Sequence, residues 1–299
     1  MVSIVLVGAA CSSSTAPEVD GVTVVATTTM LGDIARNIVG DDGTVTVLLP
    51  IGVDAHDFQP TSAQVAAIYE ADLVIANGLG LEVGLEDVLE AAASDGANIV
   101  EVAELVNPLT FGDRTPCGVD TDGACDPHVW LDPARDAAIA LIVGDQLEAI
   151  DSSVDWQDRS IRYADQLREA DLAITRTLSA VPDGSRFLVT NHDFLGYLAD
   201  RYGFEVVGNV YPGGSTLSDP SSSELARLVA TVNEMGVSAI FAEVGESTGL
   251  AEAIADEADH PVEVIPLYAG SIGESGSGAD SLIGMLMVNA ERIADGLSQ

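Results

Sequence analysis

Residues 154–180 contain no glycine or proline, and this uninterrupted stretch constrains the fold more than any other feature of the chain. At 1.5 Å per residue, a helix of this length is roughly 40 Å long. The sequence VPDG at positions 181–184 ends it. Apolar residues recur along the stretch at spacings of three and four, which indicates one amphipathic helix: Ile161, Ala164, Leu167, Ala170, Ile174 and Leu178.

Two series of strands alternating with helices lie on either side of this stretch. Short β-branched apolar runs predict strands near residues 22–26, 44–49, 72–76, 98–102, 186–190, 204–208, 237–241 and 262–265. Helices are predicted near residues 31–39, 62–71, 82–93, 133–150, 194–202, 221–235, 248–258 and 281–297. Such alternation is typical of parallel sheets covered by helices. The predicted fold class is therefore α/β, with two lobes of parallel sheet joined by one long helix.

The N-terminal segment is uncharged and mostly apolar over its first ten residues, and small residues then precede Cys11. This arrangement resembles a bacterial lipoprotein signal in which Cys11 is the acylated residue. Two features depart from that pattern, since no Arg or Lys precedes the apolar run and Gly8 replaces a larger aliphatic residue. The alternative is an N-terminus with an incidental cysteine. The predicted domains are a signal and tether (1–20), an N-terminal lobe (21–153), the linking helix (154–181) and a C-terminal lobe (182–299).

The charge balance restricts the possible partners of the protein. The chain has 11 cationic residues, all of them arginine, against 48 acidic ones, which gives a net charge of −37. Such a negative field argues against nucleic acid or an anionic membrane surface as partner. Codon bias and a salty habitat are the simplest explanation for it. No other stretch reaches transmembrane length, so membrane contact is expected only through a lipid on Cys11.

Histidine is scarce, with four in the chain, yet His56, His128 and His192 each follow a predicted strand. In open parallel sheets, ligands bind outside the carboxyl ends of the strands, so these three imidazoles are expected to share a site. Nitrogen ligands from three loops suit zinc. His260 precedes its strand and is excluded. Acids close in sequence could orient the rings, although their pairing stays open: Asp54, Asp57, Asp126 and Asp193.

Two further cysteines, Cys117 and Cys125, lie eight positions apart in the segment 112–126, which is rich in Pro, Gly and Asp. In an exported chain this pair is most simply a disulfide. Closing so short a loop stabilises a protein by about 2–3 kcal/mol in the chain-entropy model. The alternative is that Cys125, three residues before His128, is a metal ligand.

The motifs around the histidines resemble those of the zinc/manganese-type solute-binding lipoproteins of bacterial ABC importers. The sequence DPHVWLDP at 126–133 is similar to the second ligand motif of that family, GVDAHDFQP at 52–60 to the first, and NHDF at 191–194 with YLADRYG at 197–203 to the third. Ser218 to Ser221, which open a helix, and FAE at 241–243 are further similarities. The resemblance implies a metal site in the cleft between two lobes, a rigid connecting helix and delivery of the metal to a membrane permease.

One ligand of that family is missing from this chain. The family usually supplies a fourth ligand, an Asp, after the last strand of the second lobe, but Ile265 and Gly270 stand at the two places where it occurs. The fourth position is therefore water or Glu243, with Glu274 as a further alternative. Histidine rather than an acid at position 192 resembles the zinc-preferring branch. The family's histidine-rich loop is replaced by the acidic segment 112–126.

The predicted function is an extracytoplasmic, monomeric receptor that binds one Zn²⁺ and delivers it to an ABC permease. Manganese is the alternative cargo, although Mn²⁺ prefers oxygen-rich sites. A zinc hydrolase uses the same kind of ligand set, but the sequence has no HExxH motif or nucleophile elbow, and Glu243 is the one obvious candidate base. A third hypothesis is an adhesin-like surface protein that metal merely stabilises. We expect a binding protein and not an enzyme.

Overall fold

Two four-stranded parallel sheets form the framework of the structure, a computed structural model that describes residues 21–118, 124–213 and 219–298. The first sheet has the order β2-β1-β3-β4 and the second the order β6-β5-β7-β8. The strands are β1 (Val22–Ala26), β2 (Gly43–Val47), β3 (Leu73–Ala76), β4 (Ile99–Glu101), β5 (Phe187–Thr190), β6 (Glu205–Asn209), β7 (Ala239–Glu243) and β8 (Glu263–Leu267). Cys11, the predicted site of lipidation, and Ser218 lie outside the described residues.

Helices cover both sheets and connect their strands. They are α1 (Thr29–Val39), α2 (Ser62–Glu70), α3 (Glu86–Ser94), α4 (Pro133–Ile150), α5 (Trp156–Leu178), α6 (Gly196–Tyr202), α7 (Ser222–Met235), α8 (Gly249–Asp256) and α9 (Leu282–Leu297). The predicted two-lobe α/β fold class is confirmed. Along the parts of the chain that the structure describes, none of the helices is both long and apolar enough to span a membrane.

Helix α5 is the long helix that the sequence predicted, and its 23 residues make it about 34 Å long. Asp155 caps it by accepting a hydrogen bond from the backbone N–H of Asp158 (3.1 Å). Its buried face packs against α1, α4 and α9, so it connects the two lobes. Ile161 was placed on this face from the periodicity, and that assignment is wrong, because Ile161 is 47% exposed and Tyr163 occupies the interface instead.

The hydrophobic core continues from one lobe into the other. Side chains of the first sheet, of α5 and of α9 belong to one cluster, which also includes Phe241 and Leu267 from the second sheet. The outer layer of the second sheet has a separate cluster beneath α7 and α8. Since burying apolar surface is the dominant favourable term in folding, this continuity holds the lobes together along α5. The exact lobe boundaries stay predictions.

The helix after β3 and strand β7 are two of the elements whose bounds differ from the prediction. The helix expected from residue 82 starts with a 3-10 turn, Val83–Leu85, and α3 follows it. Glu82 precedes this turn, and its buried carboxylate accepts hydrogen bonds from Thr27, Asn77 and Gly78. Strand β7 extends to Glu243, which is therefore the last residue of the strand rather than part of the following loop.

Candidate metal centre

The three histidines predicted from the sequence lie side by side. His56 comes from the loop between β2 and α2, His128 precedes a 3-10 turn before α4, and His192 comes two residues after β5. One ligand nitrogen from each lies within 4.8 Å of the others. The Nε2 atoms of His128 and His192 are 3.4 Å apart. The three rings thus surround a point that one metal ion could occupy.

Local backbone contacts explain why these loops aim their histidines inward. Asp54 accepts a hydrogen bond from the backbone N–H of His56 (2.9 Å), which forms the tight turn that asparagine and aspartate favour. The backbone N–H of Phe194 donates to the carbonyl of His192 (2.9 Å). The Thr190 hydroxyl donates to the same carbonyl (2.6 Å). The chain therefore turns sharply after β5 and leaves the ring of His192 in the cleft.

A buried carboxylate fixes the orientation of His128. The Oδ1 atom of Asp126 is 2.7 Å from Nδ1 of this ring and also accepts the backbone N–H of His128 (3.0 Å). A proton on Nδ1 leaves the lone pair of Nε2 free to bind a metal, which is the usual arrangement of a ligating histidine. Burial raises the pKa of Asp126 to about 7, against the opposing effects of the His128 N–H and Arg114.

Burial also keeps the histidines neutral. It lowers the pKa of His128 to about 3, with the nearby His56 as a further cause. The pKa of His192 lies well below its usual value, again chiefly because of burial. Burial likewise lowers the pKa of His56, although Asp54 and Asp126 oppose it. Metal binding requires neutral imidazole, so all three rings are in the ligating form at neutral pH.

Arg114 connects the acids beside two of these histidines. Its Nη1 donates to Oδ2 of Asp126 (3.0 Å) and its Nη2 to Oδ1 of Asp193 (2.5 Å). Asp126 belongs to the loop before α4, and Asp193 follows β5 in the other lobe. The arginine side chain is 14% exposed and Asp126 is fully buried. One guanidinium therefore bridges the two lobes directly behind the ligand nitrogens.

Glu243 lies next to the histidines and outside the group of three. Its Oε2 is 3.8 Å from Nδ1 of His192, and its Oε1 accepts the backbone N–H of Gly270 (2.7 Å). A Cβ atom at position 270 would come within 2.4 Å of Oε1, so the glycine makes room for this carboxylate. Burial raises the pKa of Glu243 to about 8, and the charge of Asp54 adds to the effect.

The space enclosed by these residues is small. The histidines line a cavity of about 10 Å³ together with Trp130 and Glu243. A cavity of about 570 Å³ against β6 is lined by Arg114 and Asp193 among others, and one of about 710 Å³ lies beside β4; neither includes a histidine. The cavity at the histidines accommodates a single ion and is too small for an organic substrate.

The remaining predicted residues fall outside the group. The sulfur of Cys125 is bonded to that of Cys117, with 5.7 Å between their Cα atoms, so it is not directed at the histidines. His260 Nε2 contacts the Val237 carbonyl (2.9 Å) at the opposite end of its strand. Sequence reasoning missed Arg114. The one indication of its role in the sequence was that it is a rare cation in an otherwise acidic loop.

The chain matches the model of the family ZnuA, described as zinc-uptake complex component A, periplasmic, over residues 24–296. It is 30% identical to the manganese-binding lipoprotein MntA of Bacillus subtilis (strain 168), across 92% of this chain and 89% of that protein. The structure is similar to the periplasmic zinc-binding protein TroA from Treponema pallidum, with a TM-score of 0.84 and 28% identity over 93% of this chain and 100% of that one. It is also similar to a manganese-bound periplasmic metal-binding protein from Candidatus Liberibacter asiaticus, with a TM-score of 0.80 and 26% identity over 92% and 99%.

Proposed function

Because this chain belongs to the ZnuA family of periplasmic zinc-uptake components, we propose that it captures Zn²⁺ outside the cytoplasm and delivers it to the permease of an ABC importer. At the coarser level, the protein is an extracytoplasmic metal-binding receptor of such an importer and not an enzyme. The family predicted from the motifs is thereby confirmed. The choice of zinc, the ligands, the lipid on Cys11 and the monomeric state are parts of the proposal.

The observation that carries the choice of zinc is the chemistry of the three buried imidazoles. Neutral nitrogen ligands suit zinc, whereas manganese prefers carboxylate, carbonyl and water oxygens. The three rings supply nitrogen alone, within 4.8 Å of one another. Some relatives of this chain are named as manganese-binding proteins and others as zinc-binding proteins. The ligand set, and not the similarity to these relatives, therefore supports zinc.

The fourth position of the site is proposed to involve Glu243. Its carboxylate occupies the space that a side chain at Gly270 would need, which compensates for the missing acid after β8. Its Oε2 lies 3.8 Å from Nδ1 of His192, and we propose that rotation of the side chain brings the carboxylate to the metal. Water is the alternative, since zinc accepts it as a fourth ligand.

A zinc hydrolase fits the cavity poorly. Hydrolysis needs a general base and room for a substrate next to the metal-bound water. The cavity at the histidines is about 10 Å³, and the candidate base, Glu243, is held by the backbone N–H of Gly270. Such a site suits the capture of a bare ion.

The distribution of exposed apolar side chains supports a permease as partner. Eight large hydrophobic residues stay exposed in the described part of the chain, and four of them follow the carboxyl ends of strands, on the side where the metal lies: Ile51, Val83, Leu105 and Val244. Contiguous exposed apolar surface marks interaction sites, and we propose that these four side chains contribute to one. We place the permease contact on this rim, next to the opening through which the metal must leave.

Titration calorimetry on metal-free protein tests the proposal. We expect one zinc site and weaker binding of Mn²⁺ at equal concentration. Structural zinc sites with four ligands bind with roughly 10–16 kcal/mol, so loss of one ligand in His128→Ala should cost about 3 kcal/mol, or roughly 100-fold in affinity.

His260→Ala is the matched control, because it removes a histidine that lies away from the site. It should leave zinc affinity unchanged. Equal affinity in parent and His128→Ala would refute the ligand assignment, and preference for Mn²⁺ would refute the assignment of zinc.

A further inference from the structure

Arg114 reaches its two carboxylates through a backbone conformation that is unusual for its type. Its φ angle is +52°, in the left-handed region that costs a residue with a side chain of order 1–3 kcal/mol. Such outliers persist where the surrounding structure enforces them, and they cluster at functional sites. The turn places the guanidinium at the junction between the lobes, where Asp126 and Asp193 lie.

The opposite side of the junction is shaped to receive this side chain. Gly196 opens helix α6, and a Cβ atom there would come within 2.0 Å of Nη1 of Arg114 and 2.5 Å of Oδ2 of Asp126. The next residue, Tyr197, donates its hydroxyl to the carbonyl of Asp126 (2.6 Å) and accepts the backbone N–H of Leu109 (3.0 Å). In the second lobe, Gly196 thus leaves space for the Arg114 guanidinium, and the Tyr197 hydroxyl binds the loop that carries Asp126. His128 follows two residues later in this loop.

We infer that Arg114 is a positioning residue that holds the two halves of the metal site together and slows the release of the bound ion. Through Asp126 it fixes the ring of His128 on the first lobe, and through Asp193 it fixes the turn that carries His192 on the second. Opening the cleft has to break this double ion pair before the histidines separate. The inference rests on the proposed function and adds a determinant of how long the ion stays bound.

The planar fork of arginine matters to this role. Two parallel N–H donors on separate nitrogens can bind two carboxylates at once, whereas the single ammonium of a lysine cannot hold both in fixed directions. Arg114→Lys should therefore keep the charge and lose most of the coupling. Arg114→Met keeps the apolar stem and removes the fork entirely.

The test measures zinc release from loaded protein after mixing with an excess of a chelating dye in a stopped-flow instrument. Removing groups that orient metal ligands typically costs 10- to 100-fold in affinity, so we expect Arg114→Met to release Zn²⁺ about 10- to 100-fold faster than the parent. The release rate of Arg114→Lys should lie between those of the parent and Arg114→Met. In the Arg114→Met background, Asp193→Asn should accelerate zinc release by a smaller factor than it does in the parent, because both substitutions break the same ion pair.

Arg159→Met is the matched control. This arginine also bridges elements, since its Nη1 donates to the Val39 carbonyl (2.7 Å) and its Nη2 contacts Asp42, but it lies away from the histidines. The control should leave the release rate unchanged, whatever its effect on the unfolding temperature of metal-free protein. A release rate of Arg114→Met within twofold of the parent, or an equal acceleration in Arg159→Met, would overturn the inference. A parent that binds no zinc would instead refute the proposed function.

Discussion

Asp136 is a buried carboxyl group whose neutralisation should stabilise the protein at neutral pH. It lies in α4, is fully buried, and neither of its oxygens has a hydrogen-bond partner among the described residues. Burial raises its pKa well above the ordinary value, and the negative charges of Asp132 and Asp33 add to the effect. The folded protein therefore keeps a proton that the unfolded chain releases above about pH 4.

The sign and size of the effect follow from this difference. A carboxyl group whose pKa is raised in the folded state contributes to stability. This contribution is fully present below the pKa of the group in the unfolded chain, and it is lost as the pH rises toward the pKa in the folded protein. Each pH unit of that interval costs about 1.4 kcal/mol, so the loss between 3.8 and 7 is at most roughly 4 kcal/mol. Asp136→Asn has the same shape and no proton to lose. Relative to the parent, Asp136→Asn should therefore raise the free energy of unfolding by up to about 4 kcal/mol more at pH 7 than at pH 4.

Urea unfolding of metal-free protein, followed by circular dichroism at both pH values, measures this difference. The cost of burying an unpaired amide is the same at both pH values and cancels. Asp145→Asn is the control, because it makes the same chemical change at an exposed position of the same helix. If the effect of Asp136→Asn differs between pH 4 and pH 7 by no more than about 0.5 kcal/mol, the range of surface substitutions, the reasoning from burial is wrong.

Three further outcomes are expected. Glu243→Gln should weaken zinc binding about 10-fold, as should Gly270→Ala, whose methyl group would displace the carboxylate; unchanged calorimetric titrations would indicate water in the fourth position. Leu105→Glu should impair zinc uptake by cells that carry the importer while leaving zinc affinity intact, whereas the equally exposed Leu172→Glu on α5 should impair neither; equal uptake by both variants would contradict the docking rim. Because burial lowers the pKa of the three histidines, zinc affinity measured by calorimetry should fall between pH 7 and 5.5 by much less than the roughly 600-fold that three histidines with ordinary pKa values near 6.5 would give.

The fold was predictable because its determinants are local in sequence. Residues 154–180 lack helix breakers, and the side chains of Asp132, Thr61 and Ser221 accept hydrogen bonds from the first turns of α4, α2 and α7. The position of the histidines follows from a rule of topology, since the carboxyl ends of parallel strands share one edge. Ile161 shows the limit of the method. Its spacing fits the apolar face, and the choice between it and Tyr163 depends on which helices pack against α5.

The surroundings of the site were not predictable, because they depend on contacts between distant parts of the chain. Glu243 and Gly270 are 27 positions apart, and the chain gives no sign that the glycine makes room for the acid. Arg114 and Asp193 are 79 positions apart and belong to different lobes. A sequence motif identifies the metal ligands, whereas the groups that orient those ligands are determined by tertiary packing.

The arginines of this chain show how a strongly acidic protein stabilises the joints between its elements. With 11 cations against 48 acids, most carboxylates have no cationic partner. Arg114 joins two carboxylates, Arg201 joins Asp132 to Asp171, and Arg186 donates to the carbonyls of Leu178 and Tyr202.

Each of these guanidinium groups binds two partners on different elements, which the planar fork allows and an ammonium does not. Burial protects such pairs from screening, whereas repulsion among exposed acids weakens as salt increases. Salt should therefore stabilise the folded protein while leaving these joints intact. The scarce cations matter for where they connect the chain rather than for how much of its charge they neutralise.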